Sequence, residues 1–241
     1  MEKVRISKLL SERKVCSRRE AEKYLEQGQI FLNGILVTEQ GTKAYPTDTI
    51  EIGSSAKKEQ GQKVTVMLHK PLGIVSNLPE PGYREASELI VEENHWERDR
   101  YSFQELTAPL HVVGRLDINS KGLLLLTQDG RVAKQVIGPE ANMEKEYIVR
   151  FEGHLSERQA DQLRKGIFLD GKLLKRAGVE RMDAHTLRII LIEGKKRQLR
   201  RMCEIVGIEV TSLKRVRIGR LQLGDLPAGQ WRYVDAKELL P

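Results

Sequence analysis

The sequence predicts an α+β fold in which a mixed, largely antiparallel sheet with flanking helices carries a small, tethered N-terminal domain. Three observations predict it. A continuous apolar run over residues 123–126 and a largely apolar segment over residues 187–192 are typical of buried strands. Polar segments elsewhere begin with capping boxes and end at glycine, as amphipathic helices do. Residues 54–63 contain no large apolar side chain, which indicates a flexible linker between two domains.

The first domain, residues 1–53, is predicted from local helix and turn signals. Its elements are a short helix around residues 7–11, a helix from the capping box of Ser17 and Glu20 to Gly28, a hairpin turn at Asn33-Gly34, and a strand over residues 48–52. Two helices and a hairpin bury only a small core. We therefore expect this domain to be an appendage rather than the place of any catalysis.

The second domain, residues 64–241, begins with an alternating strand that ends near Leu68. Residues 79–105 then form a polar insertion with poor periodicity, which we interpret as helix and loop. Later elements have clearer signals: a strand over residues 144–150, a helix capped by Ser156 and Gln159 that ends at Gly166, the buried strand 187–192, and a helix over residues 197–206.

Asp117 is the most informative single residue of the second domain. It lies on a loop, Gly114 to Gly122, that leads directly into the buried run 123–126. A carboxylate in such a place is presented at a rigid rim. The alternative is structural: Asp117 pairs with Arg115 or Lys121, or caps a turn, as surface aspartates usually do.

The helix over residues 197–206 has an apolar stripe and a polar face. Leu199, Met202, Cys203 and Val206 form the stripe, while Arg197, Arg201 and Glu204 lie opposite. Cys203 is therefore predicted to be a core residue rather than a nucleophile. Arg200 lies beside the stripe, where its guanidinium could point inward to a carboxylate.

Composition excludes several classes of protein. No apolar run approaches the roughly 18 residues of a membrane span, and the first residues lack the apolar core of a signal peptide, so we expect a cytoplasmic protein without a membrane partner. Two cysteines and five scattered histidines predict neither a disulfide framework nor a metal site.

Positive charge is concentrated in one window of the chain. Residues 193–220 contain nine Lys and Arg against three Glu, a net charge of +6, and the whole chain carries +7. Such a concentration is the footprint of a polyanion-binding surface, although a merely solvated basic surface would have the same composition.

Residues 1–53 resemble the S4-type RNA-binding domain. The resemblance rests on Arg5-Ile6-Ser7-Lys8-Leu9-Leu10, on Cys16-Ser17-Arg18-Arg19-Glu20-Ala21, and on Gly28 followed by Asn33-Gly34. It implies that Lys8, Arg18, Arg19 and Lys23 face RNA phosphates. The alternative is that these side chains only solvate the faces of their helices.

Four motifs in order resemble the RsuA/RluB/RluE/RluF family of bacterial ribosomal-RNA pseudouridine synthases. They are Gly114-Arg115-Leu116-Asp117 with the following leucine run, Lys145-Glu146-Tyr147, Glu193-Gly194-Lys195-Lys196-Arg197-Gln198-Leu199-Arg200-Arg201-Met202, and Leu213-Lys214-Arg215-Val216-Arg217-Ile218-Gly219. The N-terminal motifs are most similar to the RluF branch. The resemblance implies the pseudouridine synthase fold and covers nearly the whole chain except the insertion 79–105.

The resemblance also implies roles for individual residues. Asp117 is the catalytic nucleophile or base, Tyr147 stacks on the target uracil, and Arg200 pairs with Asp117. Leu191 packs on the other face of the base or is ordinary core, and Arg115 helps to displace the base or only orders its loop. Arg197 and Arg201, in the basic window, are expected to bind the substrate. The reaction implied needs no cofactor and no metal.

The partner implied is 23S ribosomal RNA, as naked RNA or as an assembly intermediate, and the family implies a monomer. Two alternatives stay open at this point. One is a synthase that acts on tRNA with the same catalytic residues. The other is a ribosome-assembly factor that binds RNA without turnover, although pure binding gives no reason for a carboxylate in an RNA channel, where it repels phosphate.

Overall fold

The computed structural model describes residues 1–77, 81–106, 108–138 and 141–239 of the 241-residue chain. The chain divides into two compact units. The first comprises Met1–Val64 and Thr127–Gln135, and the second comprises Thr65–Leu126 and Val136–Pro241. Among the described residues, no helix combines the length and the apolar character needed to cross a membrane.

The first unit packs helices against two small sheets. Its helices are α1 (Ile6–Glu12), α2 (Arg18–Glu26), α3 (Ser54–Gly61) and most of α4 (Gly130–Ile137), and its strands are β1 (Val4–Arg5), β2 (Ile30–Leu32), β3 (Ile35–Val37), β4 (Lys43–Ala44) and β5 (Ile50–Ile52). β2 is the centre of an antiparallel sheet in the order β3-β2-β5, and β1 pairs with β4. Ile6, Leu10, Tyr24 and Leu25 are fully buried in its core.

The local signals of the first unit are confirmed. The Ser17 side chain accepts from the Glu20 amide, and the Glu20 carboxylate accepts from the Ser17 amide at 2.7 Å. Asn33 and Gly34 both have positive φ, at 50° and 81°, which is the geometry of a tight hairpin between β2 and β3.

The prediction of a flexible linker over residues 54–63 was wrong for most of its length, because residues 54–61 form the helix α3. Gln60 is buried and donates to the Tyr24 hydroxyl at 2.8 Å. Lys63 pairs with Glu20, and Lys23 pairs with Glu59 at 2.9 Å. These polar contacts hold the segment against α2, and composition alone does not reveal them.

The second unit is built on a nine-stranded mixed sheet. Its strands are β6 (Thr65–Lys70), β7 (His111–Val113), β8 (Lys121–Thr127), β9 (Lys145–Glu152), β12 (Gly178–Asp183), β13 (Thr186–Leu191), β14 (Glu209–Ile218), β15 (Leu221–Gln222) and β16 (Trp231–Tyr233), and a separate hairpin joins β10 (Phe168–Leu169) and β11 (Lys172–Leu173). The sheet runs in the order β12-β13-β9-β14-β8-β6-β16, with β15 beside β14 and β7 beside β8.

The strand directions agree with the predicted mixed, largely antiparallel sheet. β9 is antiparallel to both β13 and β14, whereas β14 and β8 are parallel. The helices are α5 (Glu157–Lys165), α6 (Gln198–Ile205) and the short α7 (Ala236–Leu239). The capping box of Ser156 and Gln159 at the start of α5 is confirmed, and so is the buried stripe of α6, which includes Cys203. The four leucines 123–126 are completely buried in β8.

The insertion 79–105 contains two 3₁₀ helices, Ala86–Leu89 and Glu92–Asn94, and its residues 79 and 80 lie outside the described residues. The segment 95–103, here called the strap, lies along β16. The Trp96 amide donates to the Trp231 carbonyl at 2.9 Å. The Asp99 carboxylate lies 2.8 Å from His95 Nε2 and accepts from the Tyr233 amide at 2.8 Å.

Candidate active site

A cleft of about 730 Å³ in the second unit brings distant parts of the chain together. Six of the residues singled out in the sequence line it: Arg115, Asp117, Tyr147, Leu191, Arg197 and Arg200. They come from the loop before β8, from β9, from the end of β13 and from the start of α6. The order of the strands, rather than proximity in sequence, creates this site.

Asp117 lies on the loop 114–120 between β7 and β8. Gly114 opens the loop with φ of 73°, and the Ser120 amide donates to the Asp117 carbonyl at 3.0 Å, which closes a turn before β8. Within the described part of the chain, Asp117 forms no ion pair with Arg115 or Lys121. Its carboxylate therefore remains available to a substrate in the cleft.

The backbone on both sides of Asp117 is hydrogen-bonded to the turn after β6. Ser76 Oγ donates to the Leu116 carbonyl at 2.6 Å and accepts from the Leu116 amide at 2.9 Å. The Gly73 amide donates to the Ile118 carbonyl at 3.0 Å. Nothing in the spacing of Gly73 and Ser76 in the sequence connects them with a loop some 40 residues later.

Arg215 fixes the start of the same loop. It lies on β14 and is 1% exposed, although it carries a full charge. Its Nε donates to the Leu123 carbonyl at 2.8 Å and its Nη2 donates to the Gly114 carbonyl at 2.6 Å. The buried guanidinium thus donates to two backbone carbonyls, and it links β14 to the start of the loop that holds Asp117 and to the strand β8 that follows it.

Arg200 lies in the cleft but does not form the predicted ion pair with Asp117 among the described residues. Its Nη2 donates to the Asn119 carbonyl at 2.7 Å and its Nη1 donates to the Val210 carbonyl at 2.9 Å. These two carbonyls orient the guanidinium, a constraint that residue types alone do not show. Burial lowers the pKa of Arg200, and the charge of Asp117 acts in the opposite direction, so the two side chains are still coupled electrostatically.

Tyr147 and Leu191 form an apolar wall of the cleft. Tyr147 is opposite Ile189 in the β9–β13 ladder, and Leu191 is opposite Lys145, two residues away on the same face. Tyr147 is 8% and Leu191 is 3% exposed. Both were predicted from the sequence, and the cleft places an aromatic ring and an aliphatic side chain within the same pocket as Asp117.

Two buried lysines support this region. Lys70, at the end of β6, is completely buried and donates to the Pro71 and Ile74 carbonyls at 2.8 and 2.6 Å. Burial lowers the pKa of Lys70 to about 8, against the opposing influence of Asp117. Lys145 lines the cleft, and burial together with the charge of Arg215 lowers the pKa of Lys145 to about 8. The position of Lys70 at the end of an apolar strand is the sequence signal that could have indicated a buried lysine here.

The basic window is divided between the cleft and the surface. Lys195, Lys196, Arg197, Arg200 and Arg215 line the cleft. Arg201 does not; it forms two hydrogen bonds with the Asp170 carboxylate, at 2.6 and 3.0 Å. Arg217 is bound by Glu144 and Glu146. The expectation that Arg201 binds substrate is therefore not supported by its position.

In the first unit, three of the four predicted RNA-facing residues share one concave surface. Lys8, Arg18 and Arg19 line a depression of about 250 Å³ together with Arg5, Ser7 and Glu22. Lys23 does not line it, because its ammonium pairs with Glu59 on α3. The depression has four basic side chains and one acidic side chain, a composition that suits an anionic ligand.

Neither thiol is suited to chemistry. Burial raises the pKa of Cys16 to about 11 and that of Cys203 to about 12, so both remain protonated. In the described ranges, no group of three or more His, Cys, Asp and Glu side chains could hold a metal ion.

Comparison with known proteins agrees with this arrangement. A family model described as RNA pseudouridylate synthase matches residues 64–205, and an S4 domain model matches residues 4–50. The dual-specificity RNA pseudouridine synthase RluF of Escherichia coli is 35% identical, over 98% of this chain and 77% of its own. The ribosomal large subunit pseudouridine synthase B of Bacillus subtilis is 31% identical, over 98% and 92% of the two chains.

A solved structure gives the same result for the fold. A crystal structure of a pseudouridylate synthase has a TM-score of 0.66 and 25% identity with this chain, over 98% of both chains. The family match covers more than half of the sequence, including the loop of Asp117, β9 with Tyr147 and the start of α6. The chain therefore belongs to the RNA pseudouridylate synthase family: it is an RNA pseudouridine synthase, an isomerase with an S4 domain at its N-terminal end.

Proposed function

We propose that this enzyme converts a specific uridine of 23S ribosomal RNA to pseudouridine, with Asp117 as the catalytic residue. One observation carries the assignment of Asp117. Its carboxylate has no ion-pair partner among the described residues, yet it lies in a cleft lined by five cations of the basic window. A carboxylate repels phosphate, so binding alone gives no reason for its position, whereas chemistry on a ribose does.

The reaction needs little beyond such a carboxylate. The bond between C1′ of the ribose and N1 of uracil breaks, the base turns, and a bond between C1′ and C5 forms. C5 loses a proton and N1 gains one, so nothing is oxidised or reduced. Asp117 acts on the ribose, and its charge is coupled electrostatically to the nearby guanidinium of Arg200.

Tyr147 and Leu191 supply the surface that holds the detached base. An aromatic ring stacks well on a pyrimidine, and an aliphatic side chain excludes water from it. Because both side chains are held in the β9–β13 ladder, the wall is rigid while the base turns. Arg115, on the loop just before Asp117, lines the same cleft, and this supports a role in displacing the base from its helix.

The cations give the binding energy that base flipping requires. Unstacking a paired uridine costs a few kcal/mol. Phosphate contacts by Arg197 and its basic neighbours in the cleft offset this cost. Lys8, Arg18 and Arg19 of the S4 domain add a second phosphate-binding surface on the first unit.

Ribosomal RNA is proposed as the substrate because of the relatives. The Bacillus subtilis relative is named for the large ribosomal subunit, and it matches this chain along nearly its whole length. The Escherichia coli relative is named dual-specificity, which favours testing a second RNA class as well. We take tRNA as that second class.

Mapping of pseudouridine tests both parts of the proposal. Unmodified 23S ribosomal RNA, large-subunit assembly intermediates and tRNA would be incubated with the wild type and with Asp117→Asn. We expect one new site in 23S RNA with the wild type and none with the variant, whose RNA affinity stays within about tenfold. A site found only in tRNA would refute the proposed substrate. Full activity of Asp117→Asn would refute the proposed catalytic residue.

A further inference from the structure

Ser76 makes an unusual pair of contacts with the loop that holds Asp117. One hydroxyl both donates to the carbonyl and accepts from the amide of the same residue, Leu116. Ser76 is 3% exposed and Leu116 is 7% exposed, so water does not compete for either bond. The hydroxyl satisfies both backbone groups of the residue that immediately precedes Asp117.

A second contact fixes the residue that follows. The Gly73 amide donates to the Ile118 carbonyl at 3.0 Å. Gly73 and Ser76 belong to one turn, residues 70–76, in which Lys70 Nζ binds the carbonyls of Pro71 and Ile74. Asp117 is thus the single residue between two backbone positions that are tied to the same turn.

The Ser76 hydroxyl does more than fill space in the core, because it is the hydrogen-bond partner of both backbone groups of Leu116. An alanine at position 76 would leave the Leu116 amide and carbonyl buried without their partner, and only a rotation of the loop would let them find another. Such a rotation would move the Asp117 carboxylate, while Lys195 and Lys196, which line the cleft from a different segment of the chain, would stay in place. Catalysis and RNA binding therefore depend differently on Ser76.

We infer that Ser76 is a positioning residue of the enzyme, whose hydroxyl sets the direction of the Asp117 carboxylate through the backbone of Leu116. This inference rests on the proposed role of Asp117. Ser76 does not touch the reacting atoms; it acts by holding the peptide next to them. A displacement of about 1 Å at a reacting group can lower a rate by about 10²-fold.

The test is the rate of a single turnover with enzyme in excess over RNA, measured for the wild type, Ser76→Ala and Ser76→Cys. We expect Ser76→Ala to lower the rate by about 10²-fold and to leave the dissociation constant for RNA within about threefold. Ser76→Cys keeps a weak donor and acceptor at the same place, so its rate should lie between the two.

Ser156→Ala is the matched control for stability. It removes the capping hydroxyl of α5, which lowers the stability of the fold, and it lies outside the cleft. Its rate should stay within about twofold of the wild type, at a temperature well below both thermal midpoints. A merely structural role would make both alanine variants slow down in proportion to their lost stability.

The possible outcomes distinguish a failure of the positioning role of Ser76 from a failure of the proposed function. An active wild type with an equally fast Ser76→Ala variant overturns the positioning role alone. So does a loss of RNA affinity equal to the loss of rate. A wild type that forms no pseudouridine in any RNA overturns the proposed function, and the role of Ser76 with it.

Discussion

The Cα of Gly122 lies against the backbone of Arg215, so closely that a Cβ at position 122 would lie 2.2 Å from the Arg215 carbonyl oxygen. The two residues are partners in the parallel pairing of β8 and β14. Gly122 also has φ of 109°, which side chains rarely tolerate. Only glycine allows β14 to approach β8 here, and this approach delivers the Arg215 guanidinium to the loop of Asp117.

We predict that Gly122→Ala destabilises the second unit by at least about 3 kcal/mol, since backbone strain adds to a steric overlap that neither strand can relieve. Urea-induced unfolding would measure the loss. Gly61→Ala is the control, because a Cβ there meets nothing within 4 Å and the glycine ends a helix. It should be neutral or slightly stabilising. Equal stability of the two variants would contradict the close approach.

Arg200→Lys should slow the reaction by about tenfold or more while RNA affinity stays within about threefold. The substitution keeps the charge, but one ammonium cannot reproduce the guanidinium's hydrogen bonds to Asn119 and Val210. Single-turnover rates and RNA titrations would separate the two effects. Arg201→Lys is the matched control on the same helix, because Arg201 binds Asp170 outside the cleft. If both variants keep the wild-type rate, the hydrogen bond from Arg200 to the Asn119 carbonyl has no role in catalysis.

The free energy of unfolding should rise between pH 8 and pH 9. Lys70 and Lys145 have pKa values of about 8 in the folded protein, well below those of an unfolded chain. In this interval the unfolded state binds more protons, so raising the pH favours the folded state, by about 1 kcal/mol for each lysine. Cys16 and Cys203 act in the opposite direction, because they ionise more easily when unfolded, and the trend reverses at about pH 10, where unfolded lysines also lose their protons.

Lys145→Met tests this assignment. The increase in unfolding free energy between pH 8 and pH 9 should be about 1 kcal/mol smaller in the variant, since Lys70 is then the only one of the two lysines that titrates. Urea denaturation at the two pH values would provide the numbers. An increase as large as that of the wild type would show that Lys145 does not contribute.

The salt dependence of RNA binding should distinguish residues of α2. Arg18→Gln and Arg19→Gln should each reduce the slope of log affinity against log salt by about 0.7 to 0.9, as expected for one lost phosphate contact. Lys23→Gln should leave the slope unchanged, because Lys23 already pairs with Glu59 outside the concave surface. Equal effects of all three substitutions would contradict this separation.

The sequence predicted those features that depend on neighbours along the chain. Ser17 with Glu20, the Asn33-Gly34 turn and the leucine run of β8 were all identified, since capping and turn chemistry are local. The family resemblance then indicated most residues of the cleft. Asp117 and Tyr147 both line the cleft.

What the sequence did not reveal depends on contacts between distant strands. Ser76 is 40 residues from Leu116, and Arg215 is 101 residues from Gly114. Each of these side chains binds a backbone carbonyl, and backbone groups carry no sequence signature. Arg200 was predicted to pair with the Asp117 carboxylate, but its guanidinium donates instead to the backbone carbonyls of Asn119 and Val210. The sequence carries no signal for either of these two contacts.

The strap over β16 has a consequence for behaviour in concentrated solution. β16 is the terminal strand of its sheet, and an uncovered terminal strand can pair with another chain. The bond from Trp96 to Trp231, and that from Asp99 to Tyr233, occupy backbone groups along this edge. The strap thus protects the chain against edge-to-edge self-association, which would otherwise lead to aggregation.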